Sequence, residues 1–567
     1  MAAEGTATVE RETATVQRVP PHLRHLIVRQ DYSRYTAVDQ AVWRFVLLQT
    51  HARLKASAHP AYRNGLAQTG ISIERIPRIA EMDEHLAPFG WGAVCVDGFI
   101  PPRAFQELQS LSILPIAADM RSADHLVYTP APDIIHEAAG HAPILPDATY
   151  AHYLRRIGAA GARAFTLPAD AAVDRAIYAL SEVKENPRAS AELVARTERA
   201  LVEARAGVKR VSEAARLSRL YWWTAEYGLV GSPRDYAIYG AGLLSSLWES
   251  FACHDPKLPK PRLDAGASEV EYDVTRPQPQ LFVAPSFEAL HDVLDEVTRG
   301  LPSTQGGEAA LAEAALARET ATVHLSPGIS LIGALSQRLV DDGKSRVLVL
   351  ESGRAELGGV RLSGAPLVAV LGDHRAALTQ LGDGPIQLGL CGGIRLRGEL
   401  TRVVRGSEGA ALLHLQRGEL SAGSELDLLL PEGSVLVLAA HPEGAHAGAP
   451  SDFYPTTDLP ETTVPRGGSM PPQQGAMLAL YEAAVGALRS SVGGDVVPVF
   501  ERLHHELEQH FPYDWLLRWN LLESLRKLGQ GADLARKLEL ELEHLELHFQ
   551  HRQPIASGLR YLSSRLG

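Results

Sequence analysis

The sequence predicts a mostly α-helical domain, then a small β-rich domain, then a C-terminal α-helical domain. Three observations predict this order. Apolar residues recur at a spacing near 3.6 from residue 22 to about 300, as in "YTAVDQAVWRFVLLQTHARL" and "DAAVDRAIYALSEVKENP". From about 325 to 445 short Val/Leu-rich runs such as "SRVLVLESGRAEL", "APLVAVLGD" and "GSVLVLAA" alternate with Gly and Asp, the texture of a small barrel or sandwich. Beyond residue 474 strong helix formers return. At 567 residues the chain is too long for one ordinary core.

In chain order, "MAAEGTATVERETATVQRVPP" (1–21) reads as a disordered tail, and 22–305 as the first folded domain. The Ala-rich "GGEAALAEAALARETATVH" (306–324) reads as a connecting helix, 320–445 as the β-rich domain, and the Pro/Gly/Thr-rich 446–473 as a linker. Residues 474–567 form the helical domain. Within it "KLELELEHLELHF" resembles an alternating strand, but Leu534, Leu538, Leu542, Leu545 and Phe549 keep helical spacing, so helix is expected. No internal repeat of constant period stands out.

Composition narrows the function. A hydrophobic fraction of 45% and a charged fraction of 22% are those of a soluble globular protein. The net charge of −12 argues against nucleic acid as a partner. No apolar run approaches the roughly 20 residues of a membrane span, and no signal or transit segment is recognisable, so a cytoplasmic protein is expected. Only Cys95, Cys253 and Cys391 occur, without paired spacing, which excludes a disulfide framework or thiolate zinc site. A metal here must be held by His and carboxylate.

The segment "YTPAPDIIHEAAGHAPILPD" (128–147) offers such ligands. His136 and His141 are five apart, not the four of a zinc-protease H-E-x-x-H. On an ideal α-helix residues five apart diverge by about 140°. Pro130, Pro132 and Asp133 suit a helix start, and Gly140 with Pro143 suits its end. A helix stopping at Gly140 would free His141 to swing back toward His136. Glu226, set among Trp222, Trp223 and Tyr227, is the candidate third ligand, because an ionised carboxylate in such surroundings needs a cation or donors. Two imidazoles and one carboxylate with open positions is the facial arrangement of oxygen-activating non-haem Fe(II) sites. Histidines near a helix end also serve as hydrogen-bonded structural residues, and a buried Glu as half of an ion pair. Spacing leaves both readings standing.

From about residue 72 to 295 the sequence resembles the pterin-dependent aromatic amino acid hydroxylases. "VDGFIPPRAFQEL", "MRSADHLVYTPAPDIIHEAAGHAPI", "YWWTAEYGLVG", "YGAGLLSS" and "YDVTRPQPQLFVAPSFEAL" occur in that family's order. The resemblance implies His136, His141 and Glu226 as ligands of Fe(II). It implies Arg121 as the grip on the substrate carboxylate, braced by Asp133, with Thr129, Ser245 and Val274 on the substrate side. A guanidinium is suited to clamping a carboxylate. Ile100, Phe105, Glu137 and Tyr221 match positions around a tetrahydropterin such as tetrahydrobiopterin, Glu137 being placed beside both pterin and oxygen. Phe105 offers a face for a flat bicyclic ring.

The implied reaction is ring hydroxylation of an aromatic amino acid by O2, with the pterin as electron donor. Phenylalanine is the expected substrate because Val274 stands where phenylalanine hydroxylases carry valine and tyrosine hydroxylases aspartate. Hydroxylation of tryptophan or tyrosine is the alternative within the class. A zinc hydrolase lacks its H-E-x-x-H frame here, and an inactive scaffold is disfavoured by the intact set of His136, His141, Glu226 and Arg121. The family's animal members carry an N-terminal regulatory domain, for which residues 1–21 offer no room. Residues 320–567, regulation and oligomeric state are not covered by the resemblance. His544, His548 and His551 are read as solvated or packed, and "ERLHHELEQHF" lacks the His-His-Pro of the pterin-carbinolamine dehydratases.

Overall fold

The computed structural model describes residues 14–565 apart from 99, 124–125, 127–132, 186–188, 275–276, 382–384, 424, 455–471, 491–494 and 549–551. The chain is ordered earlier than the sequence suggests. Residues 14–18 form a helical turn, and a short helix follows at Pro21–Leu26. Val19, Leu23 and Ile27 line one side at four-residue spacing and pack with Ile100, Leu108 and Ile113. Thr15 donates to Asp83 at 2.9 Å. The tail expectation therefore fails from residue 14 onward, while residues 1–13 lie outside the described residues.

The first region is helical with two small sheets. Strands β1 (Gly92–Val96) and β2 (Ile113–Ala117) pair in parallel, with the helix Pro102–Ser110 as their crossover. Strand β3 (Leu229–Ser232) pairs antiparallel with β4 (Asp235–Ile238) and parallel with β5 (Val283–Ala284). The helix Ala37–Ser57 starts on a capping box between Thr36 and Asp39. It buries Val42, Trp43, Phe45, Val46, Leu47 and Leu54, more than one stripe, because it is packed from two sides.

Its second partner is the C-terminal bundle. The helices are Pro472–Ser490, Val497–His510, Trp515–Leu528, Ala532–His548 and Arg552–Arg565. Phe45 meets Trp515 and Trp519 edge-on, with centroids 5.0 and 4.7 Å apart. Phe500, Trp515, Leu521 and Leu522 belong to the same apolar cluster as Trp223 and Leu243. Leu534, Leu538, Leu542 and Leu545 are buried along one face, as their spacing predicts; Phe549 lies outside the described residues.

Between these regions lies a sheet of eleven described strands. Its first half is β6 (Thr320–Leu325), β7 (Ile329–Asp341), β8 (Lys344–Leu357), β9 (Val360–Gly364) and β10 (Leu367–Leu371). Its second half is β11 (Pro385–Gly389), β12 (Arg395–Arg405), β13 (Ala411–Ala422), β14 (Leu426–Leu430), β15 (Val435–Ala439) and β16 (Pro442–Ala447). The order is β11-β12-β13-β15-β10-β8-β7-β6-β16, with β9 on β8 and β14 on β13. Among the described residues the end strands β11 and β16 do not pair, so these strands form an open sheet rather than a closed barrel. Strands β10 and β15 pair in parallel and are buried throughout, which explains their unbroken apolar runs.

The two halves repeat one pattern, which corrects the expectation of no repeat. "GISLIGALSQRLV" and "GIRLRGELTRVVR" align residue for residue. Gly333 faces Gly353 as Gly398 faces Gly418, and register shifts follow at Leu335 and Leu400. A Cβ on Gly333 or on Gly398 would meet a facing carbonyl at 2.5 Å, so both positions require glycine. Leu331, Leu348 and Leu350 lie in one core, and Leu396, Leu413 and Leu415 in the other. Val347 reaches the second core and Leu412 the first, so each half completes its neighbour.

The sequence boundaries shift accordingly. The connecting helix ends at Ala317, and Thr320–Leu325 is β6. The linker does not begin at 446: β16 runs to Ala447, Gly448 donates to Thr320 at 2.8 Å, and Asp452 pairs with Arg354 at 3.0 Å and with Arg361. Among the described residues no helix is long and apolar enough to cross a membrane.

Candidate metal centre

The geometry of His136 and His141 comes from a local change of helix type. Residues Ile135–His141 wind as a π-helix, whose i→i+5 bonds put residues five apart on adjacent turns. The expectation of a stop at Gly140 is thus wrong, since the chain runs through His141 into a 3-10 turn at Ala142–Ile144. The wider turn, not an interruption, turns both rings the same way. Gly140 is needed for closeness instead: a Cβ there would lie 2.8 Å from the Ala241 carbonyl oxygen. The short helix Ala241–Ser245 can therefore rest directly on the π-turn. Thr129, Pro130 and Pro132 lie outside the described residues.

Glu226 ends a second π-turn, Trp222–Glu226, which continues the helix Glu213–Tyr221. Its Oε2 lies 3.2 Å from His136 Nε2 and its Oε1 3.1 Å from His141 Nε2. The imidazole rings stand at 89° to each other. His141 is buried, yet among the described residues neither of its ring nitrogens makes a hydrogen bond. Ligand atoms at right angles on a cation with bonds of about 2.1 Å lie about 3 Å apart. This spacing and the neutral-N, neutral-N, carboxylate donor set fit a divalent cation.

Electrostatics agree. Burial raises the Glu226 carboxyl, but His141 and His136 outweigh it and hold the group well below the usual carboxylate range. Burial disfavours the His136 imidazolium, yet Glu226, Glu137 and Asp133 raise its pKa to about 9. Glu137, in the same turn, is pushed up by burial, against the pull of His136 and His141. Its Oε2 is 3.9 Å from His141 Nε2 and has no hydrogen bond.

The tautomer of His136 can be read. Ser245 Oγ spends its one proton on the Ala241 carbonyl at 2.8 Å, so at 3.1 Å from His136 Nδ1 it can only accept. Nδ1 therefore carries a proton, and Nε2 is the nitrogen that faces Glu226, where a bound cation would take the place of the proton that the carboxylate favours.

Arg121 and Asp133 form a buried fork. Nε donates to Asp133 Oδ2 at 2.6 Å and Nη2 to Oδ1 at 2.8 Å, while Nη1 reaches the Ser245 carbonyl at 3.4 Å. Burial opposes the Asp133 charge, but Arg121 overcomes this and lowers its pKa. Among the described residues three of the five guanidinium N–H groups are used, leaving one on each terminal nitrogen.

Phe105 projects from the helix Pro102–Ser110, with its ring centroid 6.3 Å from His141 and 6.2 Å from Tyr221. Tyr221 accepts from Gln109 Nε2 at 2.8 Å. Ile100 lies in the neighbouring apolar cluster with Val19 and Leu108, against which Phe105 also packs. Val274 is half-buried two residues after Tyr272, whose ring stacks on Trp222 at 4.4 Å.

The sequence reading missed Gln109, Tyr272, Glu249 and Gln278. Gln278 accepts from Trp222 Nε1 at 3.0 Å, and Glu249 accepts from Tyr227 at 2.8 Å and from the Gln278 backbone at 3.1 Å. Glu249 had a sequence signal, as an acid between Trp248 and Phe251; the others had none.

The family of biopterin-dependent aromatic amino acid hydroxylases matches residues 28–172 and 201–304. A phenylalanine-4-hydroxylase of Ralstonia nicotianae is 30% identical over 269 residues, which cover 47% of this chain and 72% of that protein. The chain belongs to this family. A second relative, the phenylalanine-4-hydroxylase of Chromobacterium violaceum, is 28% identical over 267 residues, covering 46% of this chain and 75% of that protein. A crystal structure of the Chromobacterium violaceum hydroxylase, with iron(III) and 7,8-dihydrobiopterin bound, aligns at 25% identity and a TM-score of 0.39, covering 49% of this chain and 86% of that one. In the present hydroxylase the matched residues contain His136, His141, Glu226, Arg121, Asp133, Ser245 and Phe105, whereas the eleven-stranded sheet and the C-terminal bundle lie outside the match.

Proposed function

We propose that this hydroxylase converts phenylalanine to tyrosine with O2, using Fe(II) held by His136, His141 and Glu226 and a tetrahydropterin. Iron and pterin together supply oxygen activation, the pterin giving two electrons. The observation that carries the reading is the buried, hydrogen-bond-free Nε2 of His141 beside a carboxylate that also faces His136.

The protein's share is positioning. The two unspent N–H groups of Arg121 suit a bidentate hold on an amino-acid carboxylate, and Asp133 fixes the guanidinium for it. Ser245 orients His136; for Thr129, outside the described residues, the family resemblance implies a role on the same substrate side. Phe105, with Ile100 and Tyr221, offers an apolar bed for the pterin ring, and Glu137 stands between that bed and the ligand group. Val274 presents an apolar side chain to the amino-acid ring. We assign this chemistry to residues 22–305, working in a reducing compartment such as the cytoplasm, which suits three free thiols.

Iron-loaded protein supplied with phenylalanine and tetrahydrobiopterin is expected to consume O2 and release tyrosine in equal amounts. Oxygen uptake without a hydroxylated amino acid, from phenylalanine, tyrosine or tryptophan, would rule the reading out.

A further inference from the structure

We infer that the C-terminal helix Arg552–Arg565 sets the substrate side of the metal centre, with Arg53 as the positioning residue between them. The inference rests on the hydroxylase reading, since it takes Ser245 and Arg121 as the amino-acid side.

Arg53 lies near the end of the helix Ala37–Ser57, and its guanidinium spans two partners. Nη1 donates to the Leu247 carbonyl at 2.8 Å, and Nη2 donates to Ser557 Oγ. Ser557 Oγ donates in turn to Gln49 Oε1, one helical turn before Arg53. Both Ser557 and Gln49 are buried, so the chain of bonds is shielded from water. The Phe251 ring lies 5.9 Å from the guanidinium carbon, so Arg53 grips both flanks of Trp248–Glu249.

The far end of this bridge is fixed by close packing. A Cβ on Gly558 would lie 2.5 Å from Trp519 Nε1 and 3.0 Å from Phe45 Cε2. Glycine there lets the last helix seat against the central one and brings Ser557 to Arg53.

The near end is where support is needed. The helix Ala241–Ser245 breaks at Ser246, which is extended. Leu247 is two residues beyond Ser245, whose carbonyl accepts from Arg121 and whose hydroxyl accepts from His136. Besides Arg53, the Leu247 carbonyl has a long contact of 3.4 Å from Ser250. A displacement at Leu247 therefore passes to the Arg121 fork and to the His136 ring.

Arg53 is placed at a cost. Burial and nearby Arg560 hold its pKa below the ordinary guanidinium value, and among the described residues no ion pair includes it. A cation kept without an acid, on a carbonyl and a hydroxyl, points to a geometric role rather than a charge partnership.

The test uses the full chain with Arg53→Met, which keeps the stem, and Ser557→Ala, which removes only the C-terminal end. Amide exchange is followed in residues 241–252, alongside KM for the amino acid, KM for the pterin, kcat and iron content. Both variants are expected to speed exchange in 241–252 about tenfold, the loss of one charge-assisted bond. Both are also expected to raise KM for the amino acid several-fold, with pterin KM unchanged and iron retention weakened far less than amino-acid affinity. Exchange is read without turnover, so a wild-type chain that hydroxylates nothing would sink the functional reading while the positioning claim is still decided. Unchanged exchange in 241–252 in either variant, or equal shifts in both KM values, overturns the inference.

Discussion

One carboxylate, Asp133, holds Arg121 and His136 at once: its two oxygens take the guanidinium at 2.6 and 2.8 Å, and Oδ1 also accepts the His136 backbone N–H at 3.0 Å. The proposed amino-acid grip and the proposed metal ligand are thereby fixed by the same group. Changes at Arg121 must be felt by both.

Arg121→Ala is expected to cost roughly 2–5 kcal/mol in amino-acid affinity, about 30-fold to several thousand-fold. It also strands a buried carboxylate beside His136, so iron affinity falls too. Arg121→Lys keeps a cation for Asp133 but loses the fork. That variant should hold iron while binding phenylalanine weakly. Calorimetric titration of phenylalanine and metal analysis on both proteins check this; iron retained fully in Arg121→Ala would show that Asp133 does not couple the two sites.

Glu226→Ala leaves two imidazoles that share no carboxylate. Bound iron is expected to fall below a tenth of the wild-type content after gel filtration, with turnover lost in proportion. Glu226→Gln, which preserves shape but not charge, should fall between. Wild-type iron content in Glu226→Ala would remove Glu226 from the ligand set.

How much of this was legible in the sequence depends on the range of the interaction. The sequence singles out His136, His141, Glu226, Arg121 and Asp133 because their motifs lie in recognisable order, and the structure brings these side chains together. The turn type was not legible: Gly140 reads as a helix stop, and nothing in the apolar pattern distinguishes a stop from a π-turn. The paired glycines Gly333–Gly353 and Gly398–Gly418 escaped notice because the connections between strands differ in the two halves, most visibly the Cys391–Gly393 turn before β12. Phe45 meeting Trp519 under Gly558 was beyond reach, since no local pattern announces a partner so distant in sequence.

That last contact reverses an expectation. Since every proposed site residue precedes residue 305, the sequence suggests that a chain ending there stays active. The structure shows that such a chain would bare Phe45 and the rest of that helix face. An exposed apolar face of this kind drives association. Residues 1–305 alone are expected to aggregate or melt far below the full chain, measured by size exclusion and thermal unfolding. A monomeric fragment with the full chain's melting temperature contradicts this.

Glu249 gives the fold a pH dependence of known sign. Burial raises its carboxyl from 4.5 to about 7, against hydrogen bonds from Tyr227 and Gln278. The folded state thus binds the proton more tightly than the unfolded chain. Stability from this group is complete below about pH 4.5 and is lost as pH rises through 7, by an order of about 3 kcal/mol. Glu249→Gln cannot ionise, so its melting temperature relative to wild type should climb between pH 5 and pH 8. A difference that stays constant over that range assigns the dependence elsewhere.

The remaining prediction concerns which ring is accepted. Val274 is half-buried beside Tyr272 and Asp273, and Asp273 is paired with Arg205 at 3.4 Å, which holds the turn in place. An apolar side chain at this position leaves a phenolic hydroxyl without a partner, while a plain phenyl ring loses nothing. Phenylalanine is therefore expected to have the highest kcat/KM, with tryptophan slower and tyrosine slowest. Val274→Asp reverses the polarity, and should lower kcat/KM for phenylalanine at least tenfold while raising the share of tyrosine hydroxylated, since a missing or added polar partner is worth about 1–3 kcal/mol. Competition assays with mixed amino acids on iron-loaded protein measure both ratios. If Val274→Asp leaves the phenylalanine-to-tyrosine ratio untouched, Val274 does not face the ring, and selectivity must be sought on the other side of the site.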